Sequence, residues 1–234
     1  FRLNSNHKIS KFFTFGQTLG YTHQKALGIG NTNSEYGGPL SSAINLDPVT
    51  PVVETDPSLI AQTPYSNNGV LNHGIFTDGN GNPYAISSYV GQEMTNPKAY
   101  EHIFYGDYNW SDDVIGSAFI ELNINKHIKF KTIGGAKLAF WGSRDFTPIF
   151  YLSATQNNTI KNSLTKVNQN TFNWNIENTL SYTNKFGYHD VTVVIGQGAY
   201  VDNNGGGSAV SIYDLPITDW QDASFNFDIP QSDR

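Results

Sequence analysis

The fold is decided by the stretch Thr171-Phe-Asn-Trp-Asn-Ile-Glu-Asn-Thr-Leu-Ser-Tyr182, in which apolar and polar residues alternate. Most of its even positions are apolar, whereas Thr, Asn, Glu and Ser fill the odd ones. After a turn that we predict over residues 184–189, Val191, Val193 and Ile195 resume the alternation. Successive side chains of a strand point to opposite faces, so this period of two predicts a two-faced hairpin.

Two further segments show the same period. Residues 114–124 and 128–140 alternate on either side of Asn125-Lys-His127, and residues 13–21 alternate after a polar stretch at residues 4–8. We therefore predict about six antiparallel strands in three hairpins, which turn near residues 4–8, 125–127 and 184–189.

The composition also favours strands. The 234 residues include 22 Gly, 10 Pro, 15 Phe, 13 Tyr and 4 Trp, and turn formers together with aromatics are typical of β-proteins. The aromatic content and the formal net charge of −6 exclude disorder. No apolar run approaches the about 20 residues of a transmembrane helix. Because Cys is absent, disulfides and thiolate catalysis are excluded. The chain is predicted to be all-β.

Strand length and loop length point to a membrane barrel. The alternating runs extend over about 10 to 14 residues, which suits a tilted strand that crosses a bilayer. The segments between hairpins are long, and we predict extracellular loops at residues 28–113, 142–170 and 202–234. Short turns at one end and long loops at the other are typical of outer-membrane barrels, so we assign residues 1–234 to one transmembrane β-barrel domain. A half-buried sheet of a soluble sandwich gives the same alternation and stays a possible fold.

The charged residues are also distributed differently between the long loops and the short turns. Residues 28–113 contain ten acidic side chains and one Lys, whereas lysines gather near the short turns. Glu121, Lys129, Lys131 and Glu177 occupy one face of the hairpins and would be costly in hydrocarbon. The residues predicted to face lipid lie on the opposite face: Ile120, Leu122, Ile124, Phe130, Leu138, Phe172, Trp174, Ile176, Leu180, Val191, Val193 and Ile195.

No motif in the sequence nominates a catalytic centre. The six His residues lack paired ligand spacing, and neither a Gly-x-Ser-x-Gly elbow nor a His-Glu-x-x-His motif is present. Asp78-Gly-Asn-Gly-Asn82 has oxygen ligands at alternate positions, but it lacks the distal Glu of a calcium loop and is read as a tight turn. We expect no enzymatic activity, no metal and no cofactor, and the acidic loops argue against a nucleic-acid partner.

The first long loop is rich in aromatic residues. Loops of this size are usually functional. Aromatic rings beside Asn and Asp suit sugar faces and hydroxyls, but they equally suit a packed extracellular mini-domain or a protein interface. Our candidates for contact with a ligand or a partner are Tyr84, Tyr89, Tyr105, Tyr108 and Trp110.

An ordered series of short motifs resembles the barrel region of SusC/RagA-like TonB-dependent outer-membrane transporters. The series begins with Arg2-Leu-Asn4, Lys8-Ile-Ser10 and Phe15-Gly16, and continues with Leu46-Asp-Pro48, Thr50-Pro-Val52 and Asn96-Pro-Lys-Ala-Tyr100. It ends with Trp174 to Tyr182 and Phe186-Gly-Tyr-His189. The family's signal sequence, energy-coupling box and plug are not found in these residues. Because the chain opens at Phe1 in what reads as a strand already in progress, we expect a segment of a longer barrel.

The resemblance implies a function and partners. It implies the channel subunit of a SusCD-like complex in the bacterial outer membrane, which imports glycan or peptide nutrients with long loops facing outward. A SusD-like surface lipoprotein would be the lid, and the TonB complex would act through parts of the protein outside this sequence. Six strands would form a fraction of a barrel of about 22. The alternatives are a β-rich surface protein that binds glycans without transport, and a structural barrel subunit.

Overall fold

The computed structural model describes residues 1–28, 38–62, 64–66, 76–91, 94–202 and 204–226. The strands are β1 (Arg2–Lys8), β2 (Phe13–Leu27), β3 (Tyr108–Asn123), β4 (Ile128–Thr147), β5 (Phe150–Tyr151), β6 (Asn157–Asn158), β7 (Ser163–Phe186), β8 (His189–Val201) and β9 (Gly205–Tyr213). The helices are α1 (Pro39–Asn45), α2 (Pro57–Ile60) and α3 (Pro97–Phe104). Within these described ranges, no helix has the length and apolarity needed to cross a membrane.

One antiparallel sheet dominates the fold, as predicted from the alternation. Its strand order is β1-β2-β3-β4-β7-β8, with β9 also paired to β7, and the sheet does not close on itself. β5 and β6 form a separate two-stranded sheet. The all-β prediction is confirmed, and the sheet corresponds to a segment of a barrel.

The chain divides into two compact units. The sheet unit comprises residues 1–25, 110–142 and 168–208, and the loop unit comprises residues 26–109, 143–167 and 209–234. The loop unit has 14 acidic and 5 basic residues, for a formal net charge of −9, whereas the sheet unit has 6 acidic and 9 basic residues, for a charge of +3. The acidic character of the chain therefore resides in the loop unit.

The sheet unit is a single layer. Among its described residues, the one buried hydrophobic side chain is Ala139. Register places Leu180 opposite Ile195 and Ile176 opposite Ala199, so the apolar residues of β7 and β8 share one face. Ten of the twelve residues predicted to face lipid are exposed; the other two, Phe130 and Leu138, are half-buried. No second sheet covers this face within the described part of the unit, which disfavours the sandwich. Lipid contact itself stays a prediction.

The opposite face of the sheet is polar and internally paired. Lys129 Nζ lies 3.1 Å from a Glu121 carboxylate oxygen, and Lys137 Nζ lies 3.3 Å from one of Asp113. Lys131 sits 4.8 Å above the centre of the Phe119 ring. Charges on neighbouring strands therefore neutralise one another across this surface.

Two of the three predicted turns are confirmed. Asn125 Oδ1 accepts hydrogen bonds from the backbone N–H groups of His127 and Ile128, which closes the turn between β3 and β4. The turn between β7 and β8 is reduced to Gly187 and Tyr188, and Gly187 has φ of +62°, a conformation that glycine adopts without strain.

The turn predicted at residues 4–8 is wrong. These residues belong to β1, where Asn4 lies opposite Thr18 and Asn6 opposite Gly16. Asn side chains on a polar strand face were mistaken for turn formers. The chain instead reverses at residues 9–12, where the N–H groups of Ile9 and Ser10 both donate to the Phe13 carbonyl.

The predicted loops are shorter and more structured than expected. β3 begins at Tyr108, so Tyr108 and Trp110 lie on a strand rather than in a loop. β4 continues to Thr147 and β7 begins at Ser163, which leaves residues 148–162 between them. The segment after residue 202 contains β9, whose Ser211 hydroxyl lies 2.8 Å from that of Thr165 on β7. A glycine-rich start hides the alternation of β9 in the sequence.

The loop unit has two hydrophobic clusters of its own. One contains Phe146, Leu164, Ile212, Leu215 and Ala223. The other contains Tyr84, Ala99, Ile103, Phe150 and Leu152. Such clusters let a long connection form a defined structure instead of a mobile one.

Buried Asn side chains fix the path of the chain around these clusters. Asn96 Oδ1 accepts from the N–H groups of Lys98 and Ala99, which caps α3, while its Nδ2 donates to the carbonyls of Val52 and Ala85. Pro97 occupies the first turn of the helix, where no N–H is required. The Asn96-Pro97 motif is therefore a helix start that also anchors two other segments.

We predict that Asn96→Ala destabilises the loop unit by about 2 kcal/mol, because it removes a helix cap, leaves the Ala85 carbonyl without the Asn96 donor and leaves the Val52 carbonyl with the Ala85 N–H alone. Asn96→Asp keeps the capping oxygen and loses the donors, so it should lie between the wild type and Asn96→Ala. Hydrogen exchange of α3 in the purified full-length protein measures the effect, with exposed Asn109→Ala as the control. Equal protection of α3 in Asn96→Ala and Asn109→Ala would contradict this role.

Candidate ligand cleft

The five aromatic residues predicted from the sequence do not form one site. Tyr84 is 6% exposed and belongs to a hydrophobic cluster, whereas Tyr89 and Tyr105 are 74% and 60% exposed. Tyr108 and Trp110 are half-buried on β3. Tyr84 and Tyr105 line a shallow depression with His102, Lys98 and Glu101. Because Tyr84 is buried, its ring is not available as a ligand platform.

A larger cleft of about 500 Å³ lies within the loop unit. Its lining includes the buried side chains of Ile103, Phe146 and Pro148. The rest of the lining comes mainly from residues 76–79, His102 of α3, and residues 217–220. This size falls in the range of small-molecule sites.

The lining segment at residues 76–79 is held by a tight turn. Asp78 Oδ1 accepts hydrogen bonds from the N–H groups of Asn80 and Asn82, and Asp78 N–H donates to the Asn82 carbonyl. The bond from the Asn82 N–H is the main reason why the pKa of Asp78 is lowered. The turn interpretation of Asp78-Gly-Asn-Gly-Asn82 therefore fits the structure. Within the described ranges, no group of three or more acidic or His side chains is placed to hold a metal.

The lining segment at residues 217–220 is positioned by Trp220. Its indole ring lies directly over Gly106, where a Cβ would collide with the ring, and it also contacts the Tyr105 ring with centroids 5.8 Å apart. Arg144 donates to the backbone carbonyls of Trp220 and Ala223 at 3.2 and 2.8 Å. The segment that carries Trp220 is thus tied to the end of β4, and a glycine is required at position 106.

Two further side chains place polar groups at the cleft. His102 Nδ1 lies 3.1 Å from the Tyr84 hydroxyl, and its ring centre lies 4.8 Å from that of Phe76. Asp219 Oδ1 accepts a hydrogen bond from the Gln221 N–H. Asp78 and Asp219 are both half-buried, and no Lys or Arg belongs to the described lining.

A half-buried carboxyl, that of Asp107, contacts the backbone of Phe146, a residue of the cleft lining. Asp107 Oδ1 accepts a hydrogen bond of 2.7 Å from the backbone N–H of Phe146. Burial is the largest influence and raises the pKa of Asp107 to about 6; the Phe146 N–H opposes it, Asp145 adds to it, and Arg144 lowers it. The end of β4 therefore depends on a group that titrates in a mildly acidic range.

The sheet unit has a separate groove of about 630 Å³. It runs along the sheet and is lined by residues that include Arg2, Asn4, Asn173, Asn175 and Tyr200. Amide groups of this kind donate and accept hydrogen bonds without carrying charge.

The two carboxylates of the cleft lining, those of Asp78 and Asp219, come from separate segments of the loop unit. Sequence reasoning did not identify His102, Asp219 or Trp220, since they come from distant parts of the chain without local spacing. The one usable signal was the series of acidic residues around Trp220, which resembles any solvated loop.

Comparison with known proteins shows which solved structures share this fold. No protein-family model matches the chain, and no curated protein matches it. Two solved structures are similar: the RagAB peptide transporter at 12% identity and the RagAB peptide importer in its closed-closed state at 13% identity, each with a TM-score of 0.53. The chain has a RagA-like fold.

The similarity covers most of this chain but a minority of each RagAB chain. It covers 91% of this chain and 24% of each RagAB chain, so the chain spans about a quarter of the length of those proteins. Identities this low show the fold and leave the ligand open. They support the predicted RagA-like fold.

We predict that Asp107→Asn changes how the stability of the loop unit depends on pH. The folded pKa of about 6 lies above the unfolded value of about 3.9, so stability is highest below the unfolded pKa and falls as pH rises towards 6. The Asn variant keeps an acceptor for the Phe146 N–H but has no charge, so it should lose this fall and resist urea better at neutral pH.

Limited proteolysis of the full-length protein in graded urea, from about pH 4 to about pH 8, measures this difference. Asp222→Asn, which removes an exposed carboxylate, is the matched control. A pH profile of Asp107→Asn that follows the wild type would show that Asp107 does not set the dependence.

Proposed function

We propose that the chain forms part of the wall and the extracellular loops of an outer-membrane transporter that imports oligosaccharide or peptide nutrients in a TonB-dependent manner. The observation that carries the proposal is the single-layer sheet, whose apolar row is exposed while its charged residues lie on the opposite face. A surface of this kind is unfavourable in water and favourable in hydrocarbon.

The backbone supports the same placement. β7 is hydrogen-bonded to β8 over thirteen consecutive pairs, from Trp174 and Val201 to Phe186 and His189. Unpaired backbone groups cost several kcal/mol each in hydrocarbon, so a wall strand must be paired along its membrane-spanning length. Long, continuously paired strands are what a bilayer requires.

The polar face of the sheet would line the channel. Its ion pairs and amides can meet water and a passing solute, whereas the same groups on the apolar face would cost about 2–4 kcal/mol each for Arg or Lys at the membrane midplane. The groove that contains Asn173 and Asn175 lies on this unit and offers amide groups beside the charged side chains of Arg2, Lys137 and Asp202.

The loop unit would face the outside of the cell. Its net charge of −9 and its two hydrophobic clusters give a structured, acidic surface that is larger than a simple connection requires. We propose that a SusD-like lipoprotein rests on it as a lid. Coupling to the TonB complex would involve parts of the protein outside this sequence.

Leu180→Arg tests the orientation of the wall. Leu180 is exposed on the apolar row opposite Ile195, so Arg there should cost about 2–4 kcal/mol near the midplane and reduce assembly into the outer membrane. Ser181→Arg is the matched control, because Ser181 is the next residue of the same strand and faces the other way. The measurement is heat-modifiable mobility of the full-length protein in isolated outer membranes.

Assembly should fall in Leu180→Arg and remain near wild type in Ser181→Arg. Equal assembly of both variants, or a greater loss in Ser181→Arg, would refute the placement of the apolar row against lipid. Uptake by cells of oligosaccharides or peptides that depend on this protein tests the transport step separately.

A further inference from the structure

We propose that one end of the apolar sheet face, at residues 21–25 of β2 and 110–112 of β3, binds the headgroup of a membrane lipid that carries both an ammonium and a phosphate group. The inference concerns the lipid around the protein and not the solute that is transported. It rests on the proposed function in one respect, because it takes the apolar face as the face towards the bilayer.

A carboxylate, that of Asp112, lies on the apolar face of the sheet. Asp112 precedes Ile120 on β3 by an even number of residues, so the alternation of a strand places both side chains on the same face. Asp112 Oδ1 accepts a hydrogen bond of 2.6 Å from the Tyr21 hydroxyl and lies 2.8 Å from His23 Nδ1. Tyr21 and His23 are two residues apart on β2, which gives the three side chains one shared face.

The next residue of the strand, Asp113, shows the contrast between the two faces. Its carboxylate belongs to the polar face and lies 3.3 Å from Lys137 Nζ. Asp112 is held instead by a phenol and an imidazole, and the side chains of His23 and Asp112 are 55% and 30% exposed. The cluster of Tyr21, His23 and Asp112 is therefore open to whatever surrounds the apolar face.

The position of the cluster along the strand fits the edge of a bilayer. From Val114 to the end of β3 at Asn123, the strand rises about 30 Å, or about 23 Å across a membrane at a tilt of about 40°. The apolar band of an outer-membrane barrel is about 25 Å tall. Asp112 lies one step beyond this band, and Trp110 follows on the same face, as is usual for Trp at a membrane interface. A carboxylate that would be unfavourable in hydrocarbon thus lies among headgroups.

The side chains at this level offer both signs of charge. Asp112 receives both of its described contacts at Oδ1, so Oδ2 can accept a hydrogen bond from a lipid ammonium. Lys25 is two residues beyond His23 on the same face of β2 and supplies a cation for a phosphate. A purely anionic headgroup would be repelled by Asp112, and a choline headgroup has no N–H to donate. The cluster therefore favours an aminophospholipid.

Lipid binding to the purified full-length protein tests the inference. The probes are phosphatidylethanolamine, phosphatidylcholine and phosphatidylglycerol with identical acyl chains, each added to the protein in detergent. Native mass spectrometry measures the lipid that stays bound. Phosphatidylethanolamine should bind at least about fivefold more tightly than either of the other two lipids.

Two variants locate the site. Asp112→Asn keeps an oxygen for the Tyr21 hydroxyl and removes the charge, so the preference for phosphatidylethanolamine should fall below about twofold. Asp113→Asn is the matched control, because it removes the adjacent carboxylate from the other face, and it should leave the preference unchanged. Lys25→Gln changes an exposed side chain and should weaken binding of phosphatidylethanolamine by about threefold. Heat-modifiable mobility verifies that each variant is folded.

Three results would overturn the inference: equal preferences in Asp112→Asn and Asp113→Asn, tighter binding of phosphatidylglycerol, or no preference among the three lipids. Failure of the proposed function gives a different result. If Asp112→Asn abolishes the lipid preference but cells take up no oligosaccharide or peptide through this protein, the transport proposal fails and the headgroup site holds. If Leu180→Arg and Ser181→Arg place the apolar row against lipid but Asp112→Asn has no effect, the headgroup site fails and the wall holds.

Discussion

The structure depends on one constraint: a single sheet layer leaves one whole face without protein cover. In water, a sheet must bury its apolar face against another layer, and the described sheet unit has no such layer. Hydrocarbon removes the need for it. In hydrocarbon, every strand must place its apolar residues on one face and its charged residues on the other. Leu180 and Ile195 lie on the first face, and Glu121 and Lys129 lie on the second.

The loop unit solves a different problem. Its segments cannot rely on a sheet face for burial, so they build two small hydrophobic clusters and connect them through side-chain amides. Asn96 binds four backbone groups, and Asn162 donates to the carbonyls of Leu215 and Ile217 while accepting from the Leu215 N–H. A buried Asn can satisfy donors and acceptors at once, which suits loops whose backbone has no strand partner.

The fold could be predicted from the sequence where the side chains themselves carry the period. From Phe172 to Tyr182 the alternation is visible, and the register of β7 with β8 follows it. The prediction failed where residues have no side chain, or where a side chain fits both a turn and a strand. β9 begins with three glycines, which have no side chain to alternate, and Asn4 and Asn6 resemble a turn although they occupy the polar face of β1.

The candidate site was less predictable for a physical reason. Counting aromatics cannot separate Tyr84, which is buried in a cluster, from Tyr89, which is exposed, because burial is decided by contacts between distant segments. The cleft brings together Asp78, His102 and Trp220, which no spacing rule connects. The acidic bias of the long loops was visible in the sequence, and it gives the net charge of the loop unit rather than the position of a site.

The two units differ in how their charged side chains are paired. On the polar face of the sheet, Lys129, Lys137 and Lys185 each lie near a carboxylate, at 3.1, 3.3 and 3.9 Å. A channel wall with unpaired charges would hold a solute too tightly, since conduction requires binding that is weak enough to release. In the cleft, Asp78 and Asp219 meet no Lys or Arg in the described lining. The ion pairs of the sheet unit are compatible with the proposed channel wall, whereas the carboxylates of the cleft lining are held by backbone N–H groups of their own loops.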